Sequence, residues 1–408
     1  MVTTFRRGIQ VANKTDFKTV KVDHAELEQI EAQVRRHRRK IFGHVVRFLI
    51  LLVIVMVGVQ LWTALRSYSS YEVRSIIDRQ DSPATRYESF LGRRLEYSND
   101  GIIYRGMDDE LIWNQSFEMM SPVLDICEGY LAIYDQGGTT VYIMTEAGLS
   151  QKIETSVPIN RVCIANQGTV AVLMKEDAVS YVRLYDRKGK ELANGEFFQD
   201  KGSFPLDIAL SVDAKKLAVC MADVNDGKVS SIISFYNFGA VGQNEINNNV
   251  GTYTYEDVLI AEIDYVSADR MVAFSNEGLI IFEGVQKPEP RRTIDYEAQA
   301  HSVFHNNKYV GITYSNPELE GGWHICVYDM GGSIIMENDT AIPYSRIEFL
   351  DNNEVCVRDA HSCEIFTIHS IRKFSYTFDE ELLKILSGGD NVSYTFVLEN
   401  EMDEVRLR

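Results

Sequence analysis

The chain has 408 residues, of which 45% are hydrophobic and 25% are charged, and these proportions exclude a mainly disordered protein and a protein with many membrane spans. The formal net charge of -18 is unevenly distributed: residues 1–47 carry 11 Lys/Arg and 5 Asp/Glu, a net charge of +6, which leaves -24 for the rest. Such an acidic surface repels nucleic acid, so we expect no nucleic-acid partner.

An uncharged apolar stretch from Phe48 to Leu65 is long enough to cross most of a bilayer as a helix. A cleaved signal peptide is the alternative, but more than forty residues precede the stretch and no small-x-small cleavage site follows it. We therefore predict a signal anchor of a single-pass protein in the cell membrane. Basic residues before it orient the N-terminus to the cytoplasm and the C-terminal domain outward: Arg35, Arg36, Arg38, Arg39, Lys40 and Arg47.

Changes of composition along the chain divide it into five segments. We predict a disordered cytoplasmic tail for residues 1–22, a basic amphipathic cytoplasmic helix for 23–47 and the transmembrane anchor for 48–65. Residues 66–85 are predicted to be a juxtamembrane helix and a linker, with the helix ending before Pro83. Residues 86–408 form the predicted extracytoplasmic domain, which reads as short strands separated by Gly, Asn and Asp turns.

Hairpins recur along this domain about every 43 residues, which is the period of a propeller blade. Two of the following turns, YDRKGKEL and YDMGGSII, place Asp186 and Asp329 at the turn start and glycine where positive φ is needed, which predicts a tight turn with a bulge. The first strands of the eight hairpins begin at Arg93, Tyr130, Thr169, Lys216, Arg270, Tyr309, Glu354 and Ser393.

This pattern predicts an all-β fold, a seven- or eight-bladed β-propeller preceded by a single transmembrane helix. The hairpin count favours eight. The first unit lacks a clear innermost strand and the last lacks an outermost strand, so merging these two partial units would give seven blades. In either case the termini are expected to complete a shared sheet and thereby close the ring.

The segment DDELIWNQ, with Trp113, follows two strands and a turn, and this order resembles the repeats of quinoprotein-like (PQQ-type) β-propellers. The layout of a short tail, one span and an outward propeller is also similar to an uncharacterised family of bacterial single-pass membrane proteins. Only one repeat carries the tryptophan, so quinone binding, which some members of the class perform, is not implied and no cofactor is predicted. WD40-like repeats are a poorer match because no GH…WD pair recurs.

No catalytic or metal-binding set stands out from the sequence. His301 and His305 would lie about 13 Å apart on a strand, which is too far for one ion. Cys356 and Cys363 flank a predicted hairpin turn that would set them opposite one another. Unlinked thiols, a disulfide between them, and part of a zinc site with His361 are the three alternatives.

Two segments lengthen their repeats, residues 237–256 and 315–323. Insertions on a rigid scaffold are frequent recognition sites, so Tyr253, Tyr255 and Trp323 are the candidate partner-binding residues. The alternative is that both segments are tolerated polar loops.

The sequence as a whole favours a membrane-anchored extracytoplasmic binding or scaffold protein, whose propeller recognises a protein or a cell-envelope polymer. One alternative is an extracytoplasmic carbohydrate-active enzyme, a lyase or hydrolase, with carboxylates supplied by different blades. A cluster of acidic residues in the central channel would favour that alternative. Another is a sensor that couples the propeller to the cytoplasmic tail.

Overall fold

The computed structural model describes residues 24–64, 66–106, 109–199, 202–225 and 227–408. The predicted tail, residues 1–22, lies outside them. The chain divides into two compact units, residues 1–62 and 63–408. Each unit is considered by itself below.

The first unit contains one long helix, α1, His24–Ala64. Within α1, Lys40–Val59 is long and apolar enough to cross a membrane, and none of it is buried by protein. A helix that exposes so many apolar side chains needs an apolar environment. It is the one candidate membrane-spanning helix in the described part of the chain. Lys40 and Arg47 are exposed, whereas the side chains of Arg35, Arg36, Arg38 and Arg39 lie outside the described ones.

The second unit begins with β1, Tyr71–Asp78, and its described strands form eight four-stranded antiparallel sheets, the blades. Blade 1 contains β2 (Arg86–Phe90), β3 (Arg93–Ser98), β4 (Gly101–Arg105) and β5 (Leu111–Ser116); blade 2 contains β6 (Pro122–Cys127), β7 (Tyr130–Asp135), β8 (Thr140–Thr145) and β9 (Gly148–Glu154). Blade 3 contains β10 (Ile159–Ile164), β11 (Val170–Glu176), β12 (Val179–Tyr185) and β13 (Glu191–Phe198); blade 4 contains β14 (Ser203–Leu210), β15 (Lys216–Asn225), β16 (Lys228–Asn237) and β17 (Asn249–Tyr255).

The second half of the ring repeats this order. Blade 5 contains β18 (Ile260–Tyr265), β19 (Arg270–Ser275), β20 (Gly278–Glu283) and β21 (Glu289–Asp295); blade 6 contains β22 (Ala300–His305), β23 (Tyr309–Asn316), β24 (Gly322–Asp329) and β25 (Ile334–Thr340). Blade 7 contains β26 (Arg346–Phe349), β27 (Val355–Arg358), β28 (Ser362–Phe366) and β29 (Arg372–Thr377); blade 8 contains β30 (Leu382–Ser387), β31 (Ser393–Leu398) and β32 (Glu401–Leu407), with β1 as its outermost strand. Two short 3₁₀ turns, Gly242–Asn244 and Ile246–Asn248, precede β17.

The ring closes through strands from both ends of the propeller. β1 pairs antiparallel with β32, from Tyr71 opposite Leu407 to Asp78 opposite Glu401. The prediction of a juxtamembrane helix in residues 66–85 is therefore wrong for residues 71–78, because pairing with β32 satisfies the backbone of an otherwise polar, exposed segment. The innermost strand that blade 1 lacked in the sequence is β2. The alternative of seven blades is thus excluded, and eight is confirmed.

The predicted turn chemistry is confirmed. Asp186 Oδ1 accepts the backbone N–H groups of Lys188 and Lys190, both at 2.9 Å, and Gly189 has a φ of 78°. In each of blades 1 to 7 a register shift follows between the third and the outermost strand. Such a bulge re-aims the outermost strand and increases its twist.

The turns also contact the preceding blade. Trp113 donates its indole N–H to Glu146 O at 3.0 Å and packs against Gly148, whose φ is 99°. Gln151 approaches Gly189 in the same way one blade further on. Trp113 and Gln151 occupy the same register position, directly after the bulge of the outermost strand. Trp113 therefore makes the same kind of contact with the next blade that Gln151 makes one blade further on.

The core lies between neighbouring blades. One cluster joins Ala132, Tyr134 and Val141 of blade 2 to Val162 and Val172 of blade 3, all buried. Burying such apolar area contributes about 25 cal/mol per Å². Each blade is thus packed on both faces, which gives a rigid frame around a central channel.

Candidate functional site in the central channel

Charged side chains gather at the innermost strands. In the described residues, each of the eight innermost strands supplies at least one charged or titratable side chain, although the blade interiors are apolar. Together with Arg358 on the neighbouring strand β27, they include two groups, which we name the acidic cluster (Asp125, Arg161, Asp207, Glu262, Asp264 and His305) and the paired cluster (Glu88, Glu348, Arg358 and Lys384).

Two carboxylates of the acidic cluster accept hydrogen bonds from the backbone of the next blade. Asp125 Oδ2 accepts the N–H of Ile164 from blade 3 at 2.6 Å. Asp207 accepts the N–H of Ile208 and, across to blade 5, the N–H of Ile263, both at 2.9 Å. Arg161 contributes one ion pair to Asp207 at 3.5 Å. Buried carboxylates need such donors, so these contacts account for Asp125 and Asp207 without any catalytic role.

The remaining members of the acidic cluster meet at a histidine. His305 Nε2 lies 3.9 Å from Glu262 Oε1, and His305 Nδ1 lies 3.7 Å from Asp264 Oδ2. The His305 ring also stacks on Phe274, with centroids 5.4 Å apart. His301 instead stacks on Trp323, so the two histidine rings have different neighbours.

Burial and crowding shift the pKa values in the acidic cluster. Burial raises the pKa of Asp207 to about 6, more than Arg161 lowers it. Burial also raises the pKa of Asp125 and of Asp264. The neighbouring His305 imidazole lowers the pKa of Glu262. Burial opposes the charge on His305, but Glu262 and Asp264 outweigh it and raise its pKa.

The paired cluster has matched charges instead. Lys384 Nζ donates to Glu88 Oε1 and Oε2, both at 3.0 Å, and to Glu348 Oε2 at 2.8 Å. Arg358 Nε lies 3.7 Å from Glu348 Oε1. Burial opposes the charge on Glu348, but Lys384 outweighs it, and the pKa of Glu348 is lowered. This group closes the junction of blades 7, 8 and 1.

A polar cavity of about 610 Å³ separates the two clusters. Blades 1, 5, 6 and 7 and the link before blade 7 contribute to its wall, so it opens onto the channel. Its polar wall suits a hydrophilic ligand or chain segment better than an apolar one. The titratable and hydroxyl side chains that line it are Glu88, Glu262, Ser302, His305, Tyr344, Ser345, Arg346 and Glu348.

The structure places two of the predicted partner-binding residues in packed positions. Tyr253 and Tyr255 lie in β17, not in a loop. The Tyr253 ring packs against Phe235 and Phe282, and its hydroxyl donates to Pro288 O at 3.1 Å. Burial raises the pKa of Tyr255 to about 12. Packing accounts for both side chains, and their binding role stays a prediction.

Trp323 is closer to the cavity. It lies in β24, stacks on His301 with centroids 4.0 Å apart, and contacts Tyr344 edge-on at 5.4 Å. Tyr344 is part of the cavity wall, and its hydroxyl donates to Ser302 Oγ at 3.0 Å. The predicted residue thus belongs to an aromatic group that borders the cavity.

A disulfide between Cys356 and Cys363, one of the three alternatives, is not formed in the structure, where both thiols are free and buried. The hairpin turn comprises residues 359–361, so Cys363 pairs with Arg358 and Cys356 pairs with Ile365. The two cysteines are diagonal neighbours rather than opposite one another, and diagonal pairs are too far apart for a disulfide. The alternative of unlinked thiols holds.

The sequence did not identify the channel residues as a group, because their partners are distant along the chain. Lys384 and Glu88 are 296 positions apart. One signal was present in the sequence: a charged residue among the apolar residues of an innermost strand, as with Arg161 in β10 and Asp207 in β14. An acidic cluster in the channel is the observation that would favour the enzyme alternative, and its carboxylates are Asp125, Asp207, Glu262 and Asp264.

Comparison with known families matches residues 64–407, the whole propeller, to a family of unknown function, DUF5711, and the chain belongs to it. A search of curated proteins gave no match.

Solved structures similar to the chain include BamB from Moraxella catarrhalis, at 12% identity and a TM-score of 0.48, covering 83% of this chain and 100% of that one. The WD40 domain of Neurospora crassa Pan2 is similar at 9% identity and a TM-score of 0.42, covering 70% of this chain and 88% of that one. At these identities the likeness concerns the fold.

Proposed function

We propose that this member of the DUF5711 family is a membrane-anchored extracytoplasmic binding protein whose propeller holds a polar segment of a protein or cell-envelope polymer in its central channel. The observation that carries the proposal is the cavity of about 610 Å³, lined by side chains of both charge signs, at the centre of a closed ring. A polar cavity with convergent charged groups is the usual form of a site for a polar ligand.

The helix α1 supports the anchored location, and the basic residues before its apolar window favour a cytoplasmic N-terminus. A closed ring changes shape little, so it suits a scaffold that holds a partner near the membrane. The aromatic side chains that border the cavity, Trp323 and Tyr344, are the residue types that most often anchor partners.

Site-specific photocrosslinking in intact cells tests the channel as the binding site. A photoreactive amino acid at Ser302, in the cavity wall, should give a discrete crosslinked product. The same probe at the exposed Thr293 on the outer strand β21, outside both lengthened segments, is the control and should give none. Equal products from both positions, or none from Ser302, would contradict the proposal.

Protease accessibility tests the orientation separately. Protease added outside spheroplasts should remove the propeller and leave a short membrane-bound fragment. Protection of the propeller until the membrane is lysed would refute the outward orientation, whatever the channel binds.

A hydrolase or lyase is the second candidate, favoured by the environments of Glu262 and Asp264. The pKa of Glu262 is lowered and that of Asp264 is raised, and both carboxylates contact His305. Carboxylates with divergent pKa values are the usual base and acid pair in glycan cleavage.

Release of soluble fragments from purified cell-envelope polysaccharide tests this candidate. The wild-type protein should release them, and Glu262→Gln and Asp264→Asn should each abolish release, whereas the exposed Lys215→Met should not. If the wild-type protein releases no more fragments than the two variants, the enzyme candidate is refuted and only the binding role remains.

A further inference from the structure

Three metal-ligating side chains converge on one face of blade 6, outside the channel. His324 and Cys326 lie on β24, and Glu337 lies on β25 opposite Cys326. One ligand atom from each, the imidazole nitrogen, the thiol sulfur and a carboxylate oxygen, lies within 4.8 Å of the other two. In a tetrahedral zinc site, bonds of about 2.0–2.3 Å place ligand atoms about 3.3–3.8 Å apart, so small rotations of these side chains suffice.

A fourth residue orients the histidine. Asp339, directly opposite His324, lies 2.6 Å from His324 Nδ1. A proton on Nδ1 satisfies this contact and leaves the lone pair of Nε2 free. Nε2 lies 3.9 Å from Glu337 Oε1, on the side of the other two ligands. A carboxylate behind a histidine, with the second ring nitrogen turned to the ion, is the arrangement that metal sites use to fix a histidine ligand.

The burial of Cys326 and the negative charge around His324 suit a bound cation better than they suit a simple ion pair of His324. The Cys326 residue is 0% exposed, which holds its sulfur in place, whereas Glu337 is exposed enough to admit an ion from solvent. Among the described residues, His324 is the ion-pair partner of both Glu337 and Asp339. If His324 served only Asp339, Cys326 and Glu337 would not need to lie at coordinating distance.

We infer that His324, Cys326 and Glu337 form a binding site for zinc or a similar borderline divalent metal ion, with Asp339 as the positioning residue of His324. Imidazole and thiolate ligands select zinc-like ions over magnesium and calcium, which prefer oxygen alone. Three protein ligands leave one position of a tetrahedral ion open to water or to a donor atom from a partner. The Cys326 thiol loses its proton to solvent when the ion binds.

Metal titration of the full chain in detergent tests the site. The metal-free protein should bind one zinc ion per chain in competition with a chromophoric chelator. Cobalt(II) at the same site should give the near-ultraviolet band of thiolate-to-metal charge transfer. Cys326→Ser should abolish that band and weaken zinc binding about 100-fold or more, and Asp339→Asn should weaken it about 10- to 100-fold.

Cys127→Ser, which changes a partly exposed cysteine of blade 2, is the matched control and should bind as the wild type does. Glu337→Gln changes an exposed ligand and should leave the fold intact. Its zinc affinity therefore tests the site even if Cys326→Ser fails to fold. A wild-type protein without saturable binding, a cobalt spectrum without a thiolate band, or equal zinc affinity in Glu337→Gln would each overturn the inference.

Discussion

The two sides of the central channel compensate their buried carboxylates in different ways. In the paired cluster, Lys384 contacts both Glu88 and Glu348. In the acidic cluster, four carboxylates share Arg161 and His305, and two of them depend mainly on backbone N–H groups. One side therefore has two cations beside its two carboxylates, whereas the other carries unneutralised charge that neutral pH makes less favourable.

Removing the lysine should have the largest effect. Lys384→Met leaves Glu348 and the partly exposed Glu88 without their shared cation, so we expect a loss of about 3 kcal/mol of unfolding free energy at neutral pH. Urea denaturation of the wild-type and variant proteins measures this loss. The control is Lys215→Met, whose exposed side chain pairs with Asp213 and should cost less than about 1 kcal/mol. A similar loss in both variants would show that the paired cluster does not hold the ring together.

Removing the arginine of the acidic cluster should cost less. Arg161 is partly exposed and its one ion pair is long, at 3.5 Å, so we expect Arg161→Met to lower the unfolding free energy by about 2 kcal/mol near neutral pH. The loss should shrink at about pH 5, where Asp207 binds a proton. The control is Arg183→Met, which removes a longer ion pair of 4.0 Å to Glu191 in the same blade. A loss that does not depend on pH would contradict the electrostatic explanation.

The wild-type protein should be less stable near pH 7.5 than near pH 5. The folded-state pKa of Asp207 is raised to about 6, so its contribution to stability is present below its unfolded pKa and is lost as pH rises through 6. Between these pH values Asp207 alone should cost about 1 kcal/mol. The raised pKa values of Asp264 and His305 act in the same direction.

Glu262 and Glu348 have lowered pKa values, so they lose their contributions only at more acidic pH. Thermal unfolding across this range gives the slope, and Asp207→Asn should flatten it. A melting temperature that rises from about pH 5 to 7.5 would contradict the assignment.

The smallest effect separates two neighbours in the acidic cluster. Asp264→Asn relieves an unfavourable charge and should raise the unfolding free energy by less than about 1 kcal/mol near neutral pH. Glu262→Gln removes a charge that His305 stabilises and should lower the unfolding free energy by a similar amount. Both variants lose one contact of His305, so opposite signs in chemical denaturation would isolate the charge. Equal signs would mean that the His305 contact decides.

Much of the ring was predictable because its signals are local. The apolar first strands, the Asp and Gly of the turn at Asp186, and the bulge after each third strand repeat in phase. β1 was missed because it is an outermost strand with mostly exposed side chains, so its sequence carries no apolar alternation. Its identity as a strand depends on β32, at the other end of the ring.

The candidate sites were harder to predict than the fold. Tyr253 was selected as a loop aromatic, but the insertion forms two 3₁₀ turns and then returns to the outermost strand of its blade. His324 and Glu337 belong to neighbouring strands, so only the register of the hairpin brings them to one face. The channel clusters unite residues from blades up to 296 positions apart, as Glu88 and Lys384 show. Patterns in a single sequence do not report contacts between positions so far apart in the chain.

The pairing of β1 with β32 also sets an order for biosynthesis. Tyr71–Asp78 leaves the ribosome among the first parts of the propeller, but its partner, Glu401–Leu407, is made more than three hundred residues later. Until then the eighth sheet lacks its central strands, and β1 presents unpaired backbone groups. The strand β1 therefore remains an unpaired, aggregation-prone edge until nearly the whole propeller has been translated. A ribosome that stalls before residue 401 would release a chain that cannot complete its eighth blade.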